Sequence, residues 1–323
     1  MEAASVNPLD FLIGSGTFYA MRPELPYAVC REGVGRVVEP ASGQPAGRRK
    51  YFRIATAAGG AAAEYACVPR DVLQDVPPPL SAATAAALGV AGTAALLALT
   101  GTGGFSPGER VAVLGASGAV GLLAAQLATA LGASRVVAVS RDAVEVPAAA
   151  ASDRLVTLGT STVTDAHEGS ERWLAEVASS LTAAADGAID LVIDPVWGAP
   201  ALAALSALRP GGRLVNLGSS AGAAVALPSA LVRGRSLRVT PTRPARTSWR
   251  RPTGQSQTQR PGGAVVARRD VSPGSRGGRL GARSPAAARQ SRRAGRGGRR
   301  GIPVTRTQRY PAGRSARTGR ERR

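Results

Sequence analysis

Apolar and polar positions are patterned most sharply between residues 111 and 217, where short apolar runs bounded by glycine alternate with longer stretches of helical period. The run 111–114 (VAVL) is what a strand buried on both faces of a parallel sheet requires. A glycine-rich turn follows. Val120, Leu123, Leu127 and Leu131 then recur at helical spacing, and Gly132 stands where a left-handed residue stops a helix. Residues 135–140 supply a second strand and 155–158 a third. Leu174, Val177 and Leu181 share one face of a helix starting near Glu171, and 189–194 make a fourth strand. A helix over 201–208, a turn at 209–212, a fifth strand over 213–217 and a sixth over 236–239 complete the series. Strands alternating with helices predict an α/β fold, a doubly wound parallel sheet of the Rossmann type.

The turn after the first strand carries the chemistry. Its residues Ser117, Gly118, Ala119, Val120 and Gly121 are small or lie at the start of a helix, so backbone N–H groups and the positive helix end can hold a pyrophosphate. Against the strict G-x-G-x-x-G fingerprint the chain reads Ala116-Ser117-Gly118-Ala119-Val120-Gly121, with alanine in the first glycine's place. The strand before, the helix after and the second strand make the motif specific. At the tip of that second strand stand Ser140, Arg141 and Asp142. A guanidinium there pairs with the extra phosphate of NADP(H), which favours it over NAD(H); the competing reading leaves Arg141 solvated and gives the ribose to Asp142. Ligands of such sheets bind beyond the carboxyl ends of the strands, which puts Asp194, Asn216, Gly218, Ser219 and Ser220 near the cofactor.

Together with this loop, several stretches resemble the zinc-independent quinone oxidoreductase branch of the medium-chain dehydrogenase/reductase family: 7–10 (NPLD) with Ser15-Gly16, 31–38 (REGVGRVV), 63–65 (AEY), 86–94 (AALGVAGTA), 107–109 (PGE), 194–198 (DPVWG) and 210–215 (PGGRLV). The resemblance covers about residues 1–240. It implies a GroES-like β-barrel domain, here partial, over 1–92, a Rossmann domain over 93–240 and an active site in the cleft between them. It also implies hydride transfer from NADPH to a quinone or an α,β-unsaturated carbonyl, with Asn7 and the Phe18-Tyr19 pair bordering nicotinamide and substrate. Tyr19 would then donate a proton or hydrogen bond, and Thr93 would join the cofactor-binding residues. A homodimer through Rossmann edge strands is a further implication. The family has its first barrel strands upstream of the stretch matching 7–10, where this sequence gives six residues, so the expectation is a barrel without its first part. Residues 47–51 (GRRKY) stand where the family has a Gly-Asp-Arg-Val turn, and the resemblance ends at Val239.

Charge divides the chain at the same place. Residues 241–323 hold 23 arginines, no lysine and two carboxylates, Asp270 and Glu321, whereas the preceding 240 residues hold 18 basic and 19 acidic side chains. The whole formal net charge of +20 therefore belongs to the tail. Rich in Arg, Gly, Pro and Ser and poor in large apolar residues, the tail is predicted to be disordered, because it cannot bury enough surface to offset its ordering entropy. It reads either as an arginine/glycine arm binding polyanions without sequence preference or as translation out of frame from a GC-rich gene. The missing lysines, the sharp boundary inside a strand and the lost periodicity favour the second. The shortened chain also admits a second function class, a dinucleotide-binding protein without turnover.

Other chemistries are excluded on residue inventory. Two cysteines, Cys30 and Cys67, and one histidine, His167 in a polar run, cannot assemble a zinc site, structural or catalytic. Arg31 stands where zinc-dependent relatives place a histidine before the glutamate. Residues 218–222 (GSSAG) fit a hydrolase nucleophile elbow, but no histidine follows Ser220. A short-chain dehydrogenase would need a tyrosine four residues before Lys50, the sole lysine, and position 46 is alanine. A methyltransferase would want an acidic residue at the second strand's tip. The uncharged stretch 82–104 is long enough for a membrane span, but its Ala, Gly and Thr gain little in lipid, and it is expected to be a buried interdomain helix. The start has neither a basic region nor an apolar core for secretion, and unpaired cysteines suit a reducing cytoplasm. The out-of-frame reading predicts that the nucleotide sequence around codon 240, translated in its other frames, continues the family-like pattern past position 239. An uninterrupted single frame with no such continuation would reject it.

Overall fold

In the computed structural model the described residues are 1–19, 22–39, 46–54, 60–141, 154–158, 169–242 and 263–267. Residues 1–270 make one compact unit. In chain order the elements are β1 (Ala3–Ser5), α1 (Pro8–Gly14), β2 (Glu32–Glu39), β3 (Arg49–Arg53), β4 (Tyr65–Pro69), β5 (Gln74–Asp75), α2 (Ala82–Leu96), β6 (Arg110–Leu114), α3 (Ala119–Ala130), β7 (Arg135–Ser140), β8 (Arg154–Thr157), α4 (Glu171–Ala184), β9 (Ile189–Asp194), α5 (Gly198–Ala207), β10 (Leu208–Asn216), α6 (Ser229–Gly234), β11 (Arg238–Pro241) and β12 (Gly263–Ala267).

The second half is the predicted doubly wound sheet. Its six strands run β11-β10-β9-β6-β7-β8, all parallel. In order of appearance within the sheet this is the 3-2-1-4-5-6 arrangement, whose topological switch point lies between β6 and β9. Both strands are buried along nearly their whole length, so their apolar runs need no alternation. The predicted turn at 209–212 is instead a register irregularity within β10, between Leu208 and Arg213, so one irregular strand replaces a helix end, a turn and a strand.

Two helices differ from their sequence readings. On α3 the fully buried positions are Gly121, Ala124, Ala125 and Ala128, while Val120, Leu123, Leu127 and Leu131 are only partly buried beside them. Small residues let the helix axis approach the sheet, and the leucines form a stripe along one flank of that contact. The predicted stop at Gly132 is observed in a left-handed conformation, φ +89°. The stretch expected to be a buried interdomain helix forms α2 and a π-helical continuation over Leu97–Thr102, and it is buried on one side only. Ala85, Ala86, Ala91, Ala95, Ala98 and Leu99 face the protein, whereas Leu88 and Leu96 are exposed. Among the described residues, Ala82–Thr102 is the one helical stretch long and apolar enough to cross a membrane by length and composition; here it packs against α3 and against β1 to β3.

The first half forms a six-stranded antiparallel sheet centred on β2. β3 pairs one edge of β2; on the other, β1 takes the residues Glu32–Val34 and β12 the residues Arg36–Glu39. β12 lies inside the Arg-rich region, in its short apolar stretch 263–267, and it bridges β2 to β4. The tail's composition gave no sign of it. The remaining tail beyond 242, including its aromatic residues Trp249 and Tyr310, lies outside the described residues, as do Asp142 and His167.

Two polar ties position the loops of the parallel sheet. Arg213, nearly buried, donates to both carboxylate oxygens of Glu109 (2.9 and 2.6 Å) and to the Gly103 and Gly104 carbonyls, joining β10 to the segment entering β6. At the opposite end Asp194 is completely buried. Its Oδ1 accepts from the Val196 and Trp197 amides (2.9 and 2.7 Å) and its Oδ2 from Asn216 Nδ2 (3.0 Å). Burial pushes the Asp194 carboxyl above the usual carboxylate range, against the downward pull of the bonds from Trp197, Asn216 and Val196.

A carboxyl whose folded pKa is raised holds its proton more tightly in the native than in the unfolded state. Its contribution to stability is fully present below about pH 4 and lost as pH rises through the folded value. Asn216→Ala removes one of the groups that favour the charged form. We expect it to cost about 1–3 kcal/mol at pH 7, with a smaller loss near pH 4 where the carboxyl takes up a proton. Urea unfolding at the two pH values checks this, and an equal loss at both would contradict it.

Candidate functional site

The site sits at the switch point, where the turn 115–118 leaves β6 and enters α3. Gly115 has φ +60°, the left-handed conformation that a tight strand-to-helix turn demands, so the sharp turn falls one residue before the place where the fingerprint puts its first glycine. Ala116 is thereby free to point its methyl into the core, where it is fully buried, and its N–H bonds to Val139 O at 2.9 Å. The substitution of alanine for glycine at 116 is thus explained. Gly121 enforces the close helix–strand approach: a Cβ there would lie 2.2 Å from the Gly115 carbonyl oxygen. Gly118, extended at the helix start with φ −79° and ψ 159°, is exposed, as is Ala119. The amides of the first turn of α3 lack partners within the helix by its geometry and carry its positive end. A bare, exposed backbone backed by a helix N-terminus and a missing Cβ is the cradle a pyrophosphate needs, so the residues present fit a dinucleotide.

Beside the loop, Ser140 Oγ donates to Ser117 Oγ at 3.3 Å, tying the tip of β7 to the turn. Ser140 is buried and Arg141 is exposed at the start of the following bend. On the other side of the switch point, Val196 reaches the turn: a Cβ on Gly115 would lie 2.8 Å from its Cγ1. Asn216 Nδ2 donates to Gly218 O at 2.8 Å as well as to Asp194, so these three sequence-predicted residues form one cluster. Asp194, with both oxygens occupied and no exposed surface, bears on a ligand only through the loop it holds. Ser219 and Ser220 are exposed.

Trp197 lies in the stretch 194–198 that carries the resemblance, but its backbone conformation was not foreseen. It adopts φ 60° and ψ −161°, a conformation suited to glycine that costs about 1–3 kcal/mol for other residues. Its N–H bond to Asp194 and its packing against the core hold it there. The preceding Pro195 and following Gly198 marked a turn, but only the backbone angles reveal the strain.

Tyr19, Thr93 and Asn7 are placed differently. Tyr19 is 94% exposed, its ring 4.8 Å from that of Phe18, so it forms no wall of a closed cleft. Thr93 is exposed on α2, one turn beyond Val90. Asn7 is half-buried, directly before α1, and belongs to a cluster around Glu32. Glu32 is fully buried and accepts from Ser5 Oγ, Asn7 Nδ2 (2.8 Å), Tyr51 OH (2.7 Å) and the Val90 amide (2.7 Å). Burial first, then the charge and hydrogen bond of Glu32, push the Tyr51 hydroxyl far above its ordinary value, so it holds its proton at all physiological pH. Glu32 shares its glycine-rich strand with the charged residues Arg36 and Glu39, so its charge did not single it out, and sequence spacing alone could not supply its partners. Among the described residues no group of three or more His, Cys, Asp and Glu side chains could hold a metal ion.

A family model described as zinc-binding dehydrogenase matches residues 119–251. The quinone oxidoreductase of Pongo abelii is 37% identical over 134 residues, which is 41% of this chain and 40% of that protein. The chloroplast envelope quinone oxidoreductase homolog of Arabidopsis thaliana is 36% identical over 137 residues, 40% of this chain and 42% of that one. The matched region thus spans about two fifths of the length of these curated relatives. Among solved structures, the quinone oxidoreductase of Thermus thermophilus, determined also in complex with NADPH, is 30% identical with a TM-score of 0.58, covering 74% of this chain and 69% of that one. A mycobacterial protein solved with NADPH is 25% identical with a TM-score of 0.62, covering 76% and 71%. Sheet order, glycine turn and these likenesses agree: the chain belongs to the quinone oxidoreductase-like branch of the medium-chain dehydrogenase/reductase family.

Proposed function

We propose that this chain is an NADPH-dependent oxidoreductase acting on a quinone or an α,β-unsaturated carbonyl without zinc. The observation that carries the reading is the exposed backbone turn 115–118 at the head of α3, at the switch point of a six-stranded parallel sheet. When bound, NADPH supplies the hydride. The protein's part is to bind, orient and exclude water. Amides of Ser117, Ala119 and Val120 hold the pyrophosphate, Gly118, whose own N–H is bonded to Gly115 O, leaves the approach bare by lacking a side chain, and Gly121 keeps the turn close to the strand. Ser140, through Ser117, and the exposed Arg141 receive the adenosine end, the guanidinium answering the extra phosphate of NADP(H) in preference to NAD(H). Asn216 and Gly218 border the nicotinamide side, and Asp194 keeps their loop in place. Asn7 approaches from the antiparallel half and Thr93 from α2. Tyr19, out in solvent, is left without the donor role expected of it. The inventory of one histidine and two cysteines, Cys30 and Cys67, both unpaired, supports the zinc-independent branch and a reducing cytoplasm. The free edge of β11 is the surface through which a homodimer would extend the parallel sheet.

The test combines turnover and binding. NADPH should be oxidised in the presence of a simple benzoquinone, and NADPH should raise the melting temperature more than NADH does. Arg141→Ala should shrink that difference to near zero. A rise without oxidation would leave the chain as a dinucleotide-binding protein lacking turnover, and no rise with either dinucleotide would overturn the reading altogether.

A further inference from the structure

Glu32 is a buried carboxylate that the cofactor turn does not use, and its four donors come from four separate segments: Ser5 in β1, Asn7 before α1, Tyr51 in β3 and the main chain of α2 at Val90. The helix is pressed against it so closely that a Cβ on Gly89 would lie 2.2 Å from Glu32 Oε2 and 2.3 Å from the Tyr51 hydroxyl. Such a convergence fixes the direction of every polar group in it.

The consequence for Asn7 is chemical. A carboxylate has no proton to give, so the Asn7 atom at 2.8 Å from Glu32 Oε1 must be the amide nitrogen, and the same nitrogen is 2.9 Å from Ser5 Oγ. Ser5, whose own hydroxyl proton goes to Glu32, can only accept there. Both Asn7 N–H bonds are therefore committed inside the protein. The carbonyl oxygen Oδ1, which can only accept, is the hydrogen-bonding capacity that the side chain can still offer. Val90, the far end of the cluster, lies one helical turn from Thr93 on the same side of α2.

We propose that Glu32 is a positioning residue that turns Asn7 into a hydrogen-bond acceptor only, so that this wall of the site selects ligand groups presenting an N–H or O–H and does not polarise a carbonyl. The inference rests on the dinucleotide reading for its ligand half alone; the orientation stands independently of it. Two sources carry the required donor: the carboxamide of the nicotinamide ring, or the hydroxyl of a reduced quinone.

Glu32→Gln is the informative variant. One glutamine atom stays an acceptor for Tyr51 and Val90, while its NH2 faces Asn7 and drives that side chain to flip, bringing N–H groups outward. The first readout needs no ligand. In 1H–15N spectra the Asn7 side-chain amide pair, identified by its disappearance in Asn7→Ser, should exchange with solvent at least tenfold more slowly in the wild type than in Glu32→Gln. Equal rates in two folded proteins, judged by matching backbone spectra, would overturn the orientation.

The second readout separates the sources. If the carboxamide is the donor, the wild type should bind NADPH at least tenfold more tightly than its reduced 3-acetylpyridine analogue, which lacks the N–H. If the hydroxyl is, it should bind hydroquinone at least tenfold more tightly than hydroquinone dimethyl ether. In either case Glu32→Gln should bring the ratio below about two. Unchanged ratios in the variant would overturn the selective role. A wild type that binds no dinucleotide and neither quinol overturns the ligand half together with the cofactor reading, while the exchange rates still decide the orientation.

Discussion

The constraint on which the site depends is the distance between α3 and the end of β6. With Gly121 set so that any side chain would run into the Gly115 carbonyl, the helix enters directly over the strand it follows. Its first-turn amides are thereby aimed into the crevice at the switch point. The alanine stripe Ala124, Ala125 and Ala128 extends the same close approach along the rest of the helix. Overpacking at this contact typically costs about 1–3 kcal/mol, but its functional cost is larger, since every amide that could meet a phosphate is carried on the element that would move.

Around that turn the protein invests in polar ties rather than in apolar volume. Asp194 gathers Val196, Trp197 and Asn216 so that the loops after β9 and β10 move as one, and it does so at the expense of a buried charge and a strained Trp197. Arg213 and Glu109 fix the opposite end of the sheet. Glu32 performs the corresponding task in the antiparallel half and links it to α2, which packs on α3 in turn. The same helix therefore feels both the Glu32 cluster and the cofactor turn, which gives the two halves of the chain a common wall.

Much of this was legible in the sequence, and the exceptions have physical causes. Apolar runs bounded by glycine marked β6, β7 and β9 because strands buried on both faces need no alternation, and context rescued a glycine fingerprint with alanine at 116. Leucines misled on α3, since periodicity registers side-chain size whereas close packing selects for its absence. One irregular strand, β10, read as three elements because Pro210, Gly211 and Gly212 carry a turn's composition. β12 was invisible: five apolar residues in an arginine-rich stretch have no local signature, and only the open half-edge of β2 gives them a place. The Glu32 cluster joins residues up to 85 positions apart and could not be read from spacing, although the quinone oxidoreductase resemblance had already drawn attention to Asn7.

Hydrogen exchange of the backbone amides, with and without NADPH, tests the central claim most directly. The account predicts that NADPH slows exchange most strongly at Ser117, Ala119 and Val120, with a weaker effect near Ser140. Unchanged exchange at those three amides while NADPH protects some other part of the chain would contradict it.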